Sequence, residues 1–112
     1  MGRSHRADAG EGPTDRHAAE IEALRRAVFE SPGSTEPAVR VAAGSGGQLP
    51  HPIGSYAEMV RDRSYRVTDS DLDELTAAGL SDDAIFEITV AAAVGAALER
   101  VTAGMRAIRG TA

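Results

Sequence analysis

Apolar and polar positions sort most clearly in the stretch from Val67, which reads VTDSDLDELTAAGLSDDAIFEITVAAAVGAALERVTAGMRAI. Leu72, Leu75 and Ala78 recur at helical spacing and predict a short helix. Thr68 is placed to cap it, with its oxygen accepting from the amide three residues on. Asp69, Asp71 and Asp73 suit the positive end of the helix dipole. Gly79 can take the left-handed conformation that closes a helix, and Leu80 supplies the apolar contact that follows. Ser81 then caps a second helix, with Asp82 and Asp83 in its first turn. No proline interrupts the run, so a helix from about Asp82 to Ile108 is predicted, roughly 40 Å long at 1.5 Å per residue.

The apolar residues of that long helix occupy more than one stripe. Val90, Val94, Ala97, Val101, Met105 and Ile108 form one, and Ile88, Ala91, Gly95 and Leu98 form another beside it. Ile85, Phe86, Ala92, Ala93 and Ala96 cover much of the remainder. A helix apolar on most sides is normally surrounded by other elements. The reading is therefore a central helix wrapped by neighbours and shared with a partner chain, with small residues allowing close approach.

Upstream, the first 13 residues, MGRSHRADAGEGP, are polar and without periodicity, and are expected to form a disordered tail. Residues 14–112 are expected to form a single helical domain. Its first helix runs from Thr14 or Asp15 to about Phe29, with Ala18, Ile21, Leu24 and Val28 on one face, and Ser31-Pro32-Gly33 ends it. Thr35 is a candidate cap for a short helix with Pro37 in its first turn, carrying Ala38, Val39, Val41 and Ala42 and stopping at Gly44-Ser45-Gly46-Gly47. Leu49-Pro50-His51-Pro52 reads as extended. A helix from about Pro52 to Arg63 then presents Ile53, Tyr56, Ala57 and Val60 inward.

Composition fits this all-α reading. Hydrophobic residues make up 42% and aromatics 4% of 112 residues, so the core is aliphatic and alanine-rich. The formal charge of −5 argues against a nucleic-acid surface. The absence of an 18-residue apolar run argues against a membrane span, and no apolar N-terminal segment suggests a signal peptide. A soluble, cytoplasmic protein is expected. With no cysteine, disulfides, thiolate metal sites and thiol catalysis are excluded for this chain.

The order Tyr56-Ala57-Glu58, Val67-Thr68-Asp69-Ser70-Asp71, Ala78-Gly79-Leu80-Ser81-Asp82, Ile85-Phe86-Glu87 and finally Arg100 resembles the C-terminal half of carboxymuconolactone decarboxylase-like and alkyl hydroperoxidase D-like proteins. The resemblance covers about Pro52 to Ile108. It implies an alkyl hydroperoxidase D-like helical bundle with one long central C-terminal helix, and a homo-oligomer. Peroxidase members of that superfamily carry a Cys-x-x-Cys pair and a nearby His in their first half; this chain has no counterpart. Peroxide reduction needs a thiolate nucleophile and a resolving thiol, so the fold and the oligomeric habit carry over and the peroxidase activity does not.

Four residues are candidates for chemistry. Glu87 sits between Phe86 and Ile88; buried, it would have a raised pKa or an arginine partner and could act as an acid or base. The preferred alternative pairs it with Arg61, Arg63 or Arg66. Arg100 interrupts the apolar seam and could bind an anion, although an interhelical or intersubunit ion pair is the preferred reading. Tyr65, like Tyr56, is expected in the core or at its rim, with a hydroxyl that needs a partner. His51, between two prolines, is the one histidine near the family-like half, and a lone loop histidine is usually a surface residue. His5, His17 and His51 show no metal-ligand spacing, so neither metal nor cofactor is expected.

Asp69, Asp71 and Asp73 imitate the start of a calcium loop, but Glu74 and Leu80 occupy the places of its glycine and its final glutamate, so helix-cap acids are the better reading. The helix–Gly-Leu-Ser–helix joint imitates a DNA-binding motif, but its second helix has no basic residue before Arg100. Two functions are left, beside a simple small-molecule carrier as a third. One is a non-catalytic homo-oligomeric interaction or accessory subunit, with itself or another protein as partner. The other is a cofactor-independent lyase or isomerase acting on a small carboxylated substrate.

Overall fold

Across its described residues the chain folds into four shorter helices followed by one long one. The computed structural model describes residues 13–111, and it is all-α: no strand occurs among them. Helix α1 spans Pro13–Phe29, α2 Pro37–Ser45, α3 Ile53–Arg63, α4 Asp69–Ala77 and α5 Asp82–Thr111, with a 3₁₀ turn at Ser64–Arg66 between α3 and α4. The expected tail at residues 1–13 lies outside the described residues except for Pro13, which opens α1.

The joint between α4 and α5 forms as its residues require. Asp71 N donates to Thr68 Oγ1 at 3.3 Å and Thr68 N to Asp71 Oδ2 at 2.8 Å, a reciprocal capping box. At the other end Gly79 has φ +100°, and the amides of Gly79 and Leu80 donate to Thr76 O and Leu75 O at 3.0 and 3.2 Å. That is the paired bonding of a left-handed helix stop. Ala84 N donates to Ser81 Oγ at 3.1 Å and starts α5.

Helices α2 and α3 pack along the N-terminal two-thirds of α5, and α2 lies closest. Leu75, Ile88, Ala91 and Ala92 are fully enclosed there, joined by Phe29, Tyr56, Ala57 and Val60. Burying a residue the size of Leu75 or Ile88 contributes about 1.5–3 kcal/mol. The alanines contribute less area but let the helix axes come close. Tyr56 hydroxyl donates to Thr89 Oγ1 at 2.7 Å, because Thr89 spends its own hydrogen on Ile85 O; the buried phenol is thereby satisfied.

Several expectations are corrected. In α1 the inward residues are Ile21, Val28 and Phe29, while Ala18 and Leu24 face water. Ala78 is also exposed, beyond the last turn that Leu75 anchors. Helix α2 is capped at Glu36, not Thr35, and runs through Gly44 to a left-handed Gly46 at φ +77°. Gly44 is buried against the Phe29 ring and the Ala91 carbonyl, so it serves close packing and does not end the helix. His51 and Pro52 form a turn where an extended segment was expected, with Gly54 N donating to Pro50 O at 3.0 Å.

Helix α5 is also not wrapped on every side. Phe86 is 67% exposed, Ala93 and Ala97 face water, and every side chain from Glu99 to Gly110 is exposed. The four preceding helices cover one flank of a rod of 30 residues, and its outer face and C-terminal end extend past them.

Candidate functional site

Glu87 is where the loop entering α2 is held. The loop carries Ser34 and Thr35 just ahead of the helix, with their amides not yet in a helical ladder. Glu87, one turn into the packed part of α5, accepts from Ser34 N at 2.7 Å, from Thr35 N at 2.8 Å and from Thr35 Oγ1 at 2.7 Å. Its partners are these three donors and not Arg61, Arg63 or Arg66. The upward pKa shift that burial alone would give does not occur. The Ser34 amide foremost, then the Thr35 hydroxyl and amide, hold the Glu87 carboxyl below the usual carboxylate range; partial burial opposes this weakly, and the charge of Arg40 adds to it. A carboxylate so occupied is a structural acceptor, ionised at neutral pH, and is poorly suited to donate a proton.

Arg40, which the sequence reading passed over, is the buried charge of this region, at 3% exposure. Its guanidinium donates to Val28 O at 2.7 Å, Ser31 O at 2.6 Å and Thr35 O at 3.3 Å. It thereby satisfies carbonyls at the end of α1 and through the loop that Glu87 holds from the other side. Its Nε is buried without a partner. The available signal was a single arginine inside the otherwise apolar PAVRVAAGS helix.

His51 borders a separate cleft of about 930 Å³ between the end of α2, residues 46–52 and α3, with Leu49, Ser55, Glu58, Arg61 and Asp62 on its walls. His51 Nδ1 lies 3.2 Å from Ser55 Oγ, and Nε2 lies 3.4 Å from Glu74 Oε2. The order of this string imitates an acyl-transfer triad. In such a triad, however, a buried acid fixes the imidazole. Here the side chains of His51 and Glu74 are 70% and 56% exposed, so water competes for both contacts and neither is worth more than about 1 kcal/mol.

Arg100 lies 13 positions beyond Glu87 on one helix, roughly 20 Å away. Its Nη2 donates to Arg61 O at 2.9 Å. The ion pair in this region belongs instead to Arg61, whose Nη2 meets Glu99 Oε1 at 2.6 Å while Nη1 donates to the Gly44 carbonyl. One guanidinium thus ties together the ends of α2 and α3 and the middle of α5. Tyr65, on the 3₁₀ turn, is 82% exposed rather than at the core.

The four candidate side chains are therefore not assembled into one site: Glu87 lines neither the His51 cleft nor a second groove of about 430 Å³ between α1, α2 and α5. Among the described residues no group of three or more His, Asp or Glu could hold a metal ion, and no helix is long and apolar enough to cross a membrane. No family model, curated protein or solved structure matches the chain.

Proposed function

We propose that the protein acts by association, as a homo-oligomeric helical module that serves as an interaction or accessory subunit. The observation that carries this reading is the outer face of α5, where Phe86, Ala93, Ala97 and Val101 stand in water on the longest helix of the fold. Apolar side chains placed singly on a surface need no explanation, but a continuous exposed stripe marks an interaction surface. The resemblance of residues 52–108 to carboxymuconolactone decarboxylase-like proteins supports the same habit. Without a thiol in the chain, peroxide reduction is no part of the proposal.

Support over the lyase or isomerase alternative comes from the placement of its candidate groups. That chemistry needs at least two of them within reach of one substrate. Glu87 is taken up by Ser34 and Thr35, His51 borders a different cleft, Arg100 donates to a backbone carbonyl and Tyr65 points into water.

Light scattering on the purified protein at micromolar concentration tests the proposal. A mass of at least twice that of the chain is expected. A monomer under these conditions overturns it.

A further inference from the structure

The outer stripe of α5 has a spacing that selects one kind of partner. It begins at Phe86 and ends at Ile108, with Val90, Ala93, Ala97, Val101 and Gly104 between them. The steps are four, three, four, four, three and four residues. At 100° per residue all seven positions fall within about 80° of arc, over about 33 Å of helix. The pattern repeats every eleven residues, as 86, 97 and 108, then 90 and 101, then 93 and 104. Such a period of 3.67 per turn stays on one side of a nearly straight helix.

The step pattern is the same in both directions from Ala97. Resting on the association reading above, we propose that two copies pair through α5 in an antiparallel arrangement, with the two-fold axis at Ala97. Reversal about that point seats each valine of the stripe on a small residue and brings the two large end residues together. Val90 meets the partner's Gly104, Val101 meets the partner's Ala93, Phe86 meets the partner's Ile108, and the two Ala97 residues meet at the axis. One surface serves both copies, as two-fold symmetry demands.

Two further observations point the same way. Gly104 lies inside a helix, where glycine is destabilising, yet a methyl group built on it would meet nothing within 4 Å. No neighbour in its own chain requires the missing side chain; in the reversed pair its absence leaves room for the partner's Val90. The charges are also complementary. Asp82 and Asp83 occupy the first turn of α5 and Arg109 the last. Reversal brings Arg109 within one turn of the partner's Asp82 and Asp83, and sets the helix dipoles antiparallel, each N-terminus beside the partner's C-terminus. A parallel pair would instead place acid against acid, arginine against arginine and glycine against glycine.

The protein has no cysteine of its own, so introduced thiols report the register directly. Ala97→Cys should form a disulfide-linked dimer on mild oxidation, since the two positions face each other at bridging distance. Val90→Cys mixed with Gly104→Cys should give a cross-linked heterodimer, while each alone gives at least tenfold less product. If Ala97→Cys loses its helical circular dichroism, mixed Phe86→Cys and Ile108→Cys read the same register. A parent that scatters as an oligomer while these pairs stay uncrosslinked, or in which Val90→Cys and Gly104→Cys each self-couple, overturns the antiparallel arrangement and leaves the association reading standing. A monomeric parent overturns both.

Discussion

Gly95 of α5 faces Gly44 of α2 with no side chain between them: a methyl group built at Gly95 would lie 2.5 Å from the Gly44 Cα and overlap its carbonyl. Neither backbone can yield without moving a helix, because Gly44 is itself pressed against the Phe29 ring and the Ala91 carbonyl. Gly95→Ala should therefore destabilise the fold by about 1–3 kcal/mol despite its gain in helix propensity, and Ala92→Leu should cost as much by overpacking the enclosed neighbour. At about 4–8 °C per kcal/mol for a domain of this size, thermal melting followed by circular dichroism resolves the difference. Variants that melt with the parent would mean that the two helices do not approach this closely.

Gly79 presents the opposite case. Space around it is open, with nothing within 4 Å of a built methyl group, but its φ of +100° is a conformation that side chains disfavour. Gly79→Ala should cost about 1–2 kcal/mol through backbone strain alone, in the range of Gly95→Ala but for a different reason. Pro at position 79 would be worse, since it also removes the amide that donates to Thr76 O. Urea unfolding separates strain from crowding through a further pair: Gly79→Asn should recover part of the loss, whereas Gly95→Asn should lose more than Gly95→Ala.

The contrast between these glycines marks how far the sequence could be read. Around Gly79 every partner lies within five residues, from Leu75 O to Leu80 N, so local rules place the stop, the Thr68 cap and the Ser81 restart. Gly44 looked like another stop. Its role is set by the Phe29 ring and the Ala91 carbonyl, 15 positions before it and 47 after, and no local pattern announces that. Glu87 has apolar neighbours in sequence, Phe86 and Ile88, but its acceptor role depends on where the Ser34–Thr35 loop arrives. Long-range pairing decided both. The long helix was legible as a rod. Its sidedness was not, because stripes on alanine and valine look alike whether a neighbour from the same chain or water lies against them.

Arg61 gives an asymmetric pair of variants. Its guanidinium satisfies the Gly44 carbonyl near the end of α2 as well as Glu99, and its side chain is 14% exposed while that of Glu99 is 54% exposed. Arg61→Met should cost about 1.5–3 kcal/mol, since a carbonyl in the α2–α5 contact loses a charged donor. Glu99→Gln removes only the solvated side of the pair and should cost less than about 1 kcal/mol. Equal losses in denaturant unfolding would show that the ion pair, and not the carbonyl cap, is the interaction that matters.

Glu87 makes the fold sensitive to acid in a direction that can be worked out. Its carboxyl is held below the usual range in the folded chain by the Ser34 amide, the Thr35 hydroxyl and the Thr35 amide, and returns to that range on unfolding. The unfolded chain therefore binds the proton more readily. The contribution of Glu87 to stability is complete above the unfolded carboxylate pKa and is lost as pH falls through the lowered folded value. Protonation leaves the amides of Ser34 and Thr35 facing a weaker acceptor, and the loop entering α2 loosens with it. Glu87→Gln removes this titration. It should melt below the parent at pH 7, and the gap between the two should narrow steadily as the pH is lowered from 5 to 3. The same scan on Thr35→Val, which deletes one of the three donors but keeps the carboxylate, should show a smaller gap at pH 7 that also narrows over that range. A gap between parent and Glu87→Gln that stays constant from pH 7 to pH 3 would mean that the carboxylate is not held by these donors.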